Sequence, residues 1–386
     1  MSFISNKYKN IKMNAMMSAT DTVNCGNNII DLSVGDHDIF TDKRVIDAAV
    51  KNKIIGHTLY THPLGDSKFR DVIIKSIKED YNCDLNINNI IVTIGAGHAL
   101  YLALKEIVNE GDEIIVIAPY YPAYIDQISS ADGNIVVVKT TEENNFIPTI
   151  DEIKEKITSK TKAIIINSPN NPTGAIYPKT LLEGIYKLSI EKDFMILSDE
   201  VYTAFTYNDN KFVSMLEIDK NLTNTVVLKT MSKDYAMTGW RIGYMIASEE
   251  MVNVAQYIND GITYSAPTIC QEGSIEAIKL RKEITTNIRN IYDERIRYAY
   301  DRVSKIDNIS LKYPQGGIYL FFNIEKTELD CEEFSKILLE NGVLVLPGNI
   351  FGDDYKYYIR LTCNKDIKIL EEAFERIEEI CNKQYI

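Results

Sequence analysis

Thr230-Met231-Ser232-Lys233-Asp234-Tyr235-Ala236-Met237-Thr238-Gly239-Trp240-Arg241-Ile242-Gly243 sets a lysine shortly after an apolar, β-branched run and an arginine eight residues later. The run Thr225 to Leu228 reads as a buried strand, so Lys233 is expected just beyond a strand's carboxyl end, where open α/β sheets keep their active sites. Burying an amine there disfavours its charged form, lowers its pKa and leaves a nucleophile for a carbonyl, the chemistry of a Schiff base. The hydroxyls of Thr230 and Ser232 and the guanidinium of Arg241 suit a phosphate close by.

Outward from this block, short β-branched runs alternate with helical patterns. The expected strands are Ile90 to Ile94, Glu113 to Ile117, Ile135 to Val138, Ala163 to Asn167, Phe194 to Ser198, Thr225 to Leu228 and Gly243 to Ile246. Apolar residues recurring at three and four predict helices over Ala99 to Val108 and Leu181 to Glu191. The fold class is therefore α/β, a mainly parallel seven-stranded sheet with helices on both faces. After about residue 275 the pattern changes to a long charged helical stretch ending at Ser304. Beyond it lie strand-like runs at Ile318 to Phe322, Val343 to Leu346 and Tyr357 to Leu361, with helices at Glu332 to Glu340 and Asp366 to Cys381. The division expected is a large domain over 41–275 and a smaller α+β domain over 276–386.

Composition narrows the function classes. A chain of 386 residues, 45% hydrophobic and 25% charged, has material for a large core and a second, smaller one. Its net charge of −13 argues against a nucleic-acid or anionic-membrane partner, since both would repel it. The start, Met1 to Met17, is polar and lysine-bearing without an apolar core of the kind a signal peptide has, and a cytoplasmic location is expected. Six scattered cysteines make no C-x-x-C pair, and four histidines, all in the first hundred residues, never reach H-E-x-x-H, so no disulfide framework and no metal site is expected.

Four further motifs fall at strand ends. Ser168-Pro169-Asn170-Asn171-Pro172-Thr173-Gly174 breaks the run Ala163 to Ile166 with a turn. In Ser198-Asp199-Glu200-Val201-Tyr202 the aspartate arrives at the sheet edge, where a buried carboxylate is costly unless it meets a cation. Thr93-Ile94-Gly95-Ala96-Gly97-His98-Ala99-Leu100 places two glycines before a helix, whose first N–H groups can cradle a phosphate. A dinucleotide site is disfavoured, because Leu100 stands where the third glycine of G-x-G-x-x-G belongs. Ala118-Pro119-Tyr120-Tyr121-Pro122 ends its strand with two aromatic rings, either of which could stack or plug the core.

Together these motifs resemble the class I and II aminotransferase family of fold-type I pyridoxal-phosphate enzymes, from about Leu32 to Leu361. One departure is Thr230, where glycine or serine is usual; it keeps the hydroxyl. The resemblance implies pyridoxal 5′-phosphate on Lys233, with Asp199 on the ring nitrogen, Asn171 and Tyr202 on the ring oxygen, and Tyr121, with Tyr120 as its rival, stacked on the ring. It implies a phosphate site of Gly95, Ala96, Gly97, Thr230, Ser232 and Arg241. For the substrate it implies Arg360 on the α-carboxylate, with Gly35 and Asn171 beside it, and His37 replaces the proline common after Gly35. It implies further that residues 1–40 form an arm and a small-domain segment, and that Tyr60 reaches the phosphate of a partner in a homodimer with shared sites. The implied reaction is ping-pong transfer of an α-amino group between an L-amino acid and a 2-oxo acid, with Lys233 as proton shuttle. The alternatives are a C–S β-lyase on the same fold and a ligand-sensing protein without catalysis.

Overall fold

In chain order the strands of the computed structural model are β1 (Ile30–Asp31), β2 (Ile90–Thr93), β3 (Glu113–Ala118), β4 (Asn134–Lys139), β5 (Thr161–Asn167), β6 (Met195–Asp199), β7 (Thr225–Thr230), β8 (Gly243–Ile246), β9 (Ser310–Leu311), β10 (Tyr319–Asn323), β11 (Val343–Leu344), β12 (Leu346–Pro347) and β13 (Tyr358–Thr362). The structure describes residue 3, residues 28–51, residue 56 and residues 58–382. The greater part of the expected N-terminal arm lies outside these residues, as do Cys25 and His57.

Seven strands make one sheet in the order β2-β8-β7-β6-β5-β3-β4. The pairs from β4 to β7 are parallel, and β8 runs antiparallel to both β2 and β7. Helices cover both faces, so the central strands are buried on both sides: Ile114 to Ile117 and Ala163 to Ile166 are each no more than 5% exposed. That double burial is why the sequence reads there as unbroken β-branched runs rather than as alternation.

The register sets up the site. Gly243 is the partner of both Thr93 and Thr230, so the carboxyl ends of β2 and β7 meet at one edge of the sheet. A Cβ at Gly243 would stand 2.6 Å from the Lys229 carbonyl oxygen and 2.8 Å from the carbonyl carbon of Gly95, so only glycine lets the turn at Gly95 pack onto β8. β3, β5, β6 and β7 all end at this same edge, followed by the segments carrying Tyr121, Asn171, Tyr202 and Lys233.

Beyond the large sheet, β12, β13, β10 and β9 form an antiparallel sheet, and β1 pairs in parallel with β11. The expected strand Val343 to Leu346 is two strands in two different sheets, because the chain switches partner at Val345. The long helical stretch is likewise divided, into Thr268–Lys279 and Arg281–Val303, where Leu280 leaves helical geometry at φ −90° and ψ 8°. Among the described residues no helix is long and apolar enough to cross a membrane.

Candidate active site

A cavity of about 380 Å³ opens at the sheet edge and is walled by segments that are far apart in sequence, from Val34 to Arg360. Lys233 follows β7 by three residues and lines it. Its Nζ donates to the Gly35 carbonyl oxygen. Burial lowers the amine to about 8, with Arg360 and Arg241 acting in the same direction and Asp36 opposing them. A lysine here loses its proton far more readily than one in water.

One end of the cavity is a ring of donors. Gly95 adopts φ +79° and opens the helix Ala96–Ile107 with no side-chain cap, so the first N–H groups of that helix, those of Ala96 and Gly97, belong to residues on the cavity wall and receive no side-chain acceptor from the cap. A Cβ at Gly95 would lie 3.0 Å from Arg241 Nη2, so the guanidinium lies against this turn. Arg241 itself is held by Nη1 donating to the Thr238 carbonyl at 2.9 Å. Thr230 and Ser232 are buried with their hydroxyl oxygens 2.9 Å apart. Backbone N–H groups, two hydroxyls and a guanidinium around one space are an anion site.

Asp199 closes the floor. It ends β6, is 8% exposed, and is pushed by burial up to about 6. Tyr124 donates its hydroxyl to Oδ2, whereas Oδ1 is buried with no hydrogen-bond partner among the described residues. A buried carboxylate oxygen left open toward a cavity calls for a donor or a cation. Asn171 is positioned by its backbone N–H donating to Asn167 Oδ1 at 2.8 Å. Tyr202 lies with its hydroxyl 2.7 Å from that of Tyr319. Tyr121 lines the cavity edge-on to Tyr124, with centroids 5.6 Å apart, while Tyr120 is buried and its N–H donates to Phe351.

At the other end stands Arg360 of β13, 1% exposed. Nη2 donates to the Ser33 carbonyl oxygen, Nη1 to Asn171 Oδ1 at 3.3 Å, and Nε has no partner among the described residues. The guanidinium lies 4.5 Å from the Tyr319 ring centroid and 5.3 Å from that of Phe351. Burial lowers its pKa, yet with no carboxylate among the described residues bonded to it the fork is a buried cation ready for an anion. Gly35 also lines the cavity, and a Cβ there would collide with the Tyr319 hydroxyl.

The segment around Gly35 is fixed from behind. His37 Nδ1 lies 2.9 Å from the Tyr292 hydroxyl, and burial, with Lys233 adding to it, lowers the imidazole to about 4, so it is neutral at physiological pH. Asp38 accepts both arms of Arg295 at 2.7 and 2.8 Å.

The cavity thus gathers Gly35, Gly95 through its turn, Ala96, Gly97, Tyr121, Asn171, Asp199, Tyr202, Thr230, Ser232, Lys233, Arg241 and Arg360. Tyr60 is not among them: it is 84% exposed and packs edge-on to Tyr264. The sequence reading missed Tyr124 and Tyr319. Tyr124 stands in the first turn of the helix Ala123–Ser130, three residues after Tyr121 at the same strand end, and that nearness was a usable signal. Tyr319 gave none, since its role depends on β10 lying beside β13.

The model of the family "Aminotransferase class I and II" matches residues 27–377. An aspartate aminotransferase of Bacillus subtilis is 36% identical over 365 residues, which cover 93% of this chain and 92% of that protein. The crystal structure of an aspartate aminotransferase from Thermotoga maritima superposes with a TM-score of 0.92 at 33% identity, covering 98% of this chain and all of that one. An aromatic aminotransferase from Pyrococcus horikoshii superposes with a TM-score of 0.89 at 30% identity, covering 94% of this chain and 98% of that one.

Proposed function

This chain belongs to the aminotransferase class I and II family, and on that premise we propose that Lys233 is the amine that holds the cofactor and moves the proton in an exchange of amino groups. The enzyme is a pyridoxal-phosphate-dependent aminotransferase acting between an amino acid and a 2-oxo acid. The observation that carries the assignment of Lys233 is its convergence, in one cavity, with an open buried carboxylate, an anion site and a buried guanidinium.

The residues present fit the cofactor. Asp199 Oδ1 is an orphaned acceptor suited to a protonated ring nitrogen, and the uncapped turn at Gly95 with Arg241, Thr230 and Ser232 suits a phosphate. Tyr121 would lie on the ring, and Asn171 and Tyr202 would hold the ring oxygen. When bound, pyridoxal 5′-phosphate supplies a carbonyl that takes up the amino group and a ring that draws electrons from the substrate Cα.

Lys233 Nζ, lowered to about 8, is uncharged often enough near neutral pH to take the Cα proton and to return one. Asp199, once it faces a cation, keeps its charge and holds that cation in place. Arg360 grips the α-carboxylate with its planar fork, and Gly35 keeps the space beside it free of a side chain. Each half of the reaction uses the same groups in opposite order, which gives ping-pong kinetics.

We assign the large, cofactor-holding domain to 41–275 and the small domain to 276–386 with residues 1–40. The exposed Tyr60 and Leu59, 84% and 81% exposed, favour a homodimer in which Tyr60 of the partner subunit completes the phosphate site. We place the protein in the cytoplasm on the strength of its acidic charge.

The experiment is the absorption spectrum of the purified protein with a panel of amino acids, beside Lys233→Ala. A visible band in wild type that changes with an amino acid and returns with a 2-oxo acid is the expected result. Pyruvate and ammonia as products would replace it with the lyase reading, and a band of equal stability in Lys233→Ala would remove Lys233 from its role.

A further inference from the structure

The ladder between β6 and β7 ends at the pair Asp199 and Leu228, where the Glu200 N–H donates to the Leu228 carbonyl at 3.0 Å. Beyond that rung the two chains part, and each then delivers a residue to the cavity, Tyr202 from one and Lys233 from the other. The residue next to Lys233 joins them again. Asp234 Oδ2 accepts the Thr203 hydroxyl at 2.6 Å, and Oδ1 accepts the Ala204 N–H at 3.3 Å. Among the described residues no other hydrogen bond joins residues 201–206 to residues 230–237.

Asp234 is 7% exposed and lines a second cavity, of about 240 Å³, whose wall also carries Lys229, Tyr81, Tyr235, Tyr244, Asp80, Arg281 and Lys282. Burial pushes this acid up to about 6, while the Thr203 hydroxyl, Lys229 and the backbone of Thr203 and Ala204 favour its charged form. None of the cations there is its own. Lys229 is paired with Glu200 at 2.9 Å, Arg281 spends its arms on Glu79 and Asp80, and Lys282 is exposed. Burying an acid without a bonded cation is costly, and the two bonds to the Thr203 turn are what offsets it.

The tie acts at one residue's remove on each side. Thr203 follows Tyr202 and Asp234 follows Lys233, so a slip at the tie changes how the Tyr202 hydroxyl stands relative to Lys233 Nζ. That hydroxyl has one partner among the described residues, the Tyr319 hydroxyl at 2.7 Å, which leaves its placement to the turn behind it. Charge is a weaker route. The charged groups that act on the Lys233 amine are Asp36, Arg360 and Arg241.

Resting on the cofactor-holding roles of Lys233 and Tyr202, we propose that Asp234 is a positioning residue, which through Thr203 holds the Tyr202 hydroxyl where it donates to the ring oxygen of the cofactor. A donor there favours the anionic form of that oxygen and so lowers the proton affinity of the Lys233 nitrogen in the loaded enzyme. The tie keeps that nitrogen readily deprotonated near neutral pH.

The test titrates the visible band of the cofactor-loaded enzyme with pH. Asp234→Ala removes the acceptor, and Thr203→Val removes the donor while leaving the charge in place. Both should raise the band's midpoint by roughly half a pH unit or more, about threefold in proton affinity. Both should lower kcat roughly 3- to 10-fold with KM for the donor within about twofold of wild type, since Arg360 is untouched. Asp234→Asn keeps an oxygen for Thr203, and Thr203→Ser keeps the hydroxyl, so both should stay within about 0.2 unit of wild type. A Thr203→Val midpoint at or below that of wild type, with only the unfolding transition lowered, overturns the proposal. So does an Asp234→Asn shift as large as that of Asp234→Ala, which would make the charge the agent. If wild type shows no band, the cofactor reading fails, and carbon NMR of the tyrosine-labelled, cofactor-free protein still decides the tie. The Tyr202 signal, assigned by its loss in Tyr202→Phe, should move in Thr203→Val, and an unmoved signal overturns the positioning role.

Discussion

Tyr124 donates its hydroxyl hydrogen to Asp199 Oδ2, while Oδ1 of the same carboxylate, buried beside it, has no partner among the described residues. Burial pushes Asp199 up to about 6 and the tyrosine bond works against that rise by favouring the charged form. Tyr124→Phe should therefore raise the Asp199 midpoint further in the cofactor-free protein. Carbon NMR of labelled aspartate reads this directly, and an unmoved or lower midpoint would show that Tyr124 does nothing for the carboxylate.

The same rise makes a statement about stability. Asp199 has an ordinary value of 3.8 and a folded value of about 6, so between these the native state binds the extra proton. Its contribution is full below the unfolded value and is lost as pH rises through about 6. The cofactor-free protein should lose about 3 kcal/mol from this group over that window. Urea unfolding at pH 4, 5, 6 and 7, for wild type and Asp199→Asn, isolates the term as a difference. A wild-type stability relative to Asp199→Asn that falls as the pH is lowered would reverse the sign and exclude burial as the cause.

Much of this site could be read before folding because its residues are fixed by local chemistry. Lys233, Asp199, Asn171 and Gly95 each follow a short apolar run, and strand ends are marked by composition. The seven strands fell within a few residues of expectation for the same reason. What stayed hidden depends on partners distant in sequence. Tyr319 meets Tyr202 only because β10 pairs with β13, whose Arg360 it covers. The break at Val345 is set by which sheet each half joins, and nothing local encodes it.

Arg360 offers a third test. Its Nη1 bonds only a neutral amide at 3.3 Å, its Nε has no partner, and aromatic rings lie 4.5 and 5.3 Å away, a setting that holds a planar fork for an incoming carboxylate. Lysine keeps the charge but offers no fork, so Arg360→Lys should raise KM for amino donors by roughly 30- to 1,000-fold, the effect of about 2–4 kcal/mol. A visible band should be retained, because Lys233, Asp199 and the phosphate-site groups make no hydrogen bond to Arg360 among the described residues. A KM within a factor of about three of wild type would mean another group takes the carboxylate.

The last expectation concerns the support beneath Lys233. On β7, four residues before it, Lys229 Nζ lies 2.9 Å from Glu200 Oε2 and 3.1 Å from the Tyr81 hydroxyl, with both charged side chains under 10% exposed. Burial works against this ammonium, but the Glu200 carboxylate together with the Tyr81 and Tyr244 hydroxyls holds Lys229 well above the usual lysine value. Glu200 in turn accepts from Ser198, Ser214 and the Met215 N–H at 2.8 to 3.0 Å, and so ties β6 to the loop that follows. Lys229→Met leaves a buried carboxylate without its cation and should destabilise the fold by about 3–5 kcal/mol. Adding Glu200→Gln removes the orphaned charge while keeping an amide for the serine and backbone partners, so the double variant should regain much of that loss. Denaturant unfolding of the two single variants and the double one closes the cycle. Additive losses would mean that the two side chains act independently and that their 2.9 Å contact contributes nothing to the floor under Lys233.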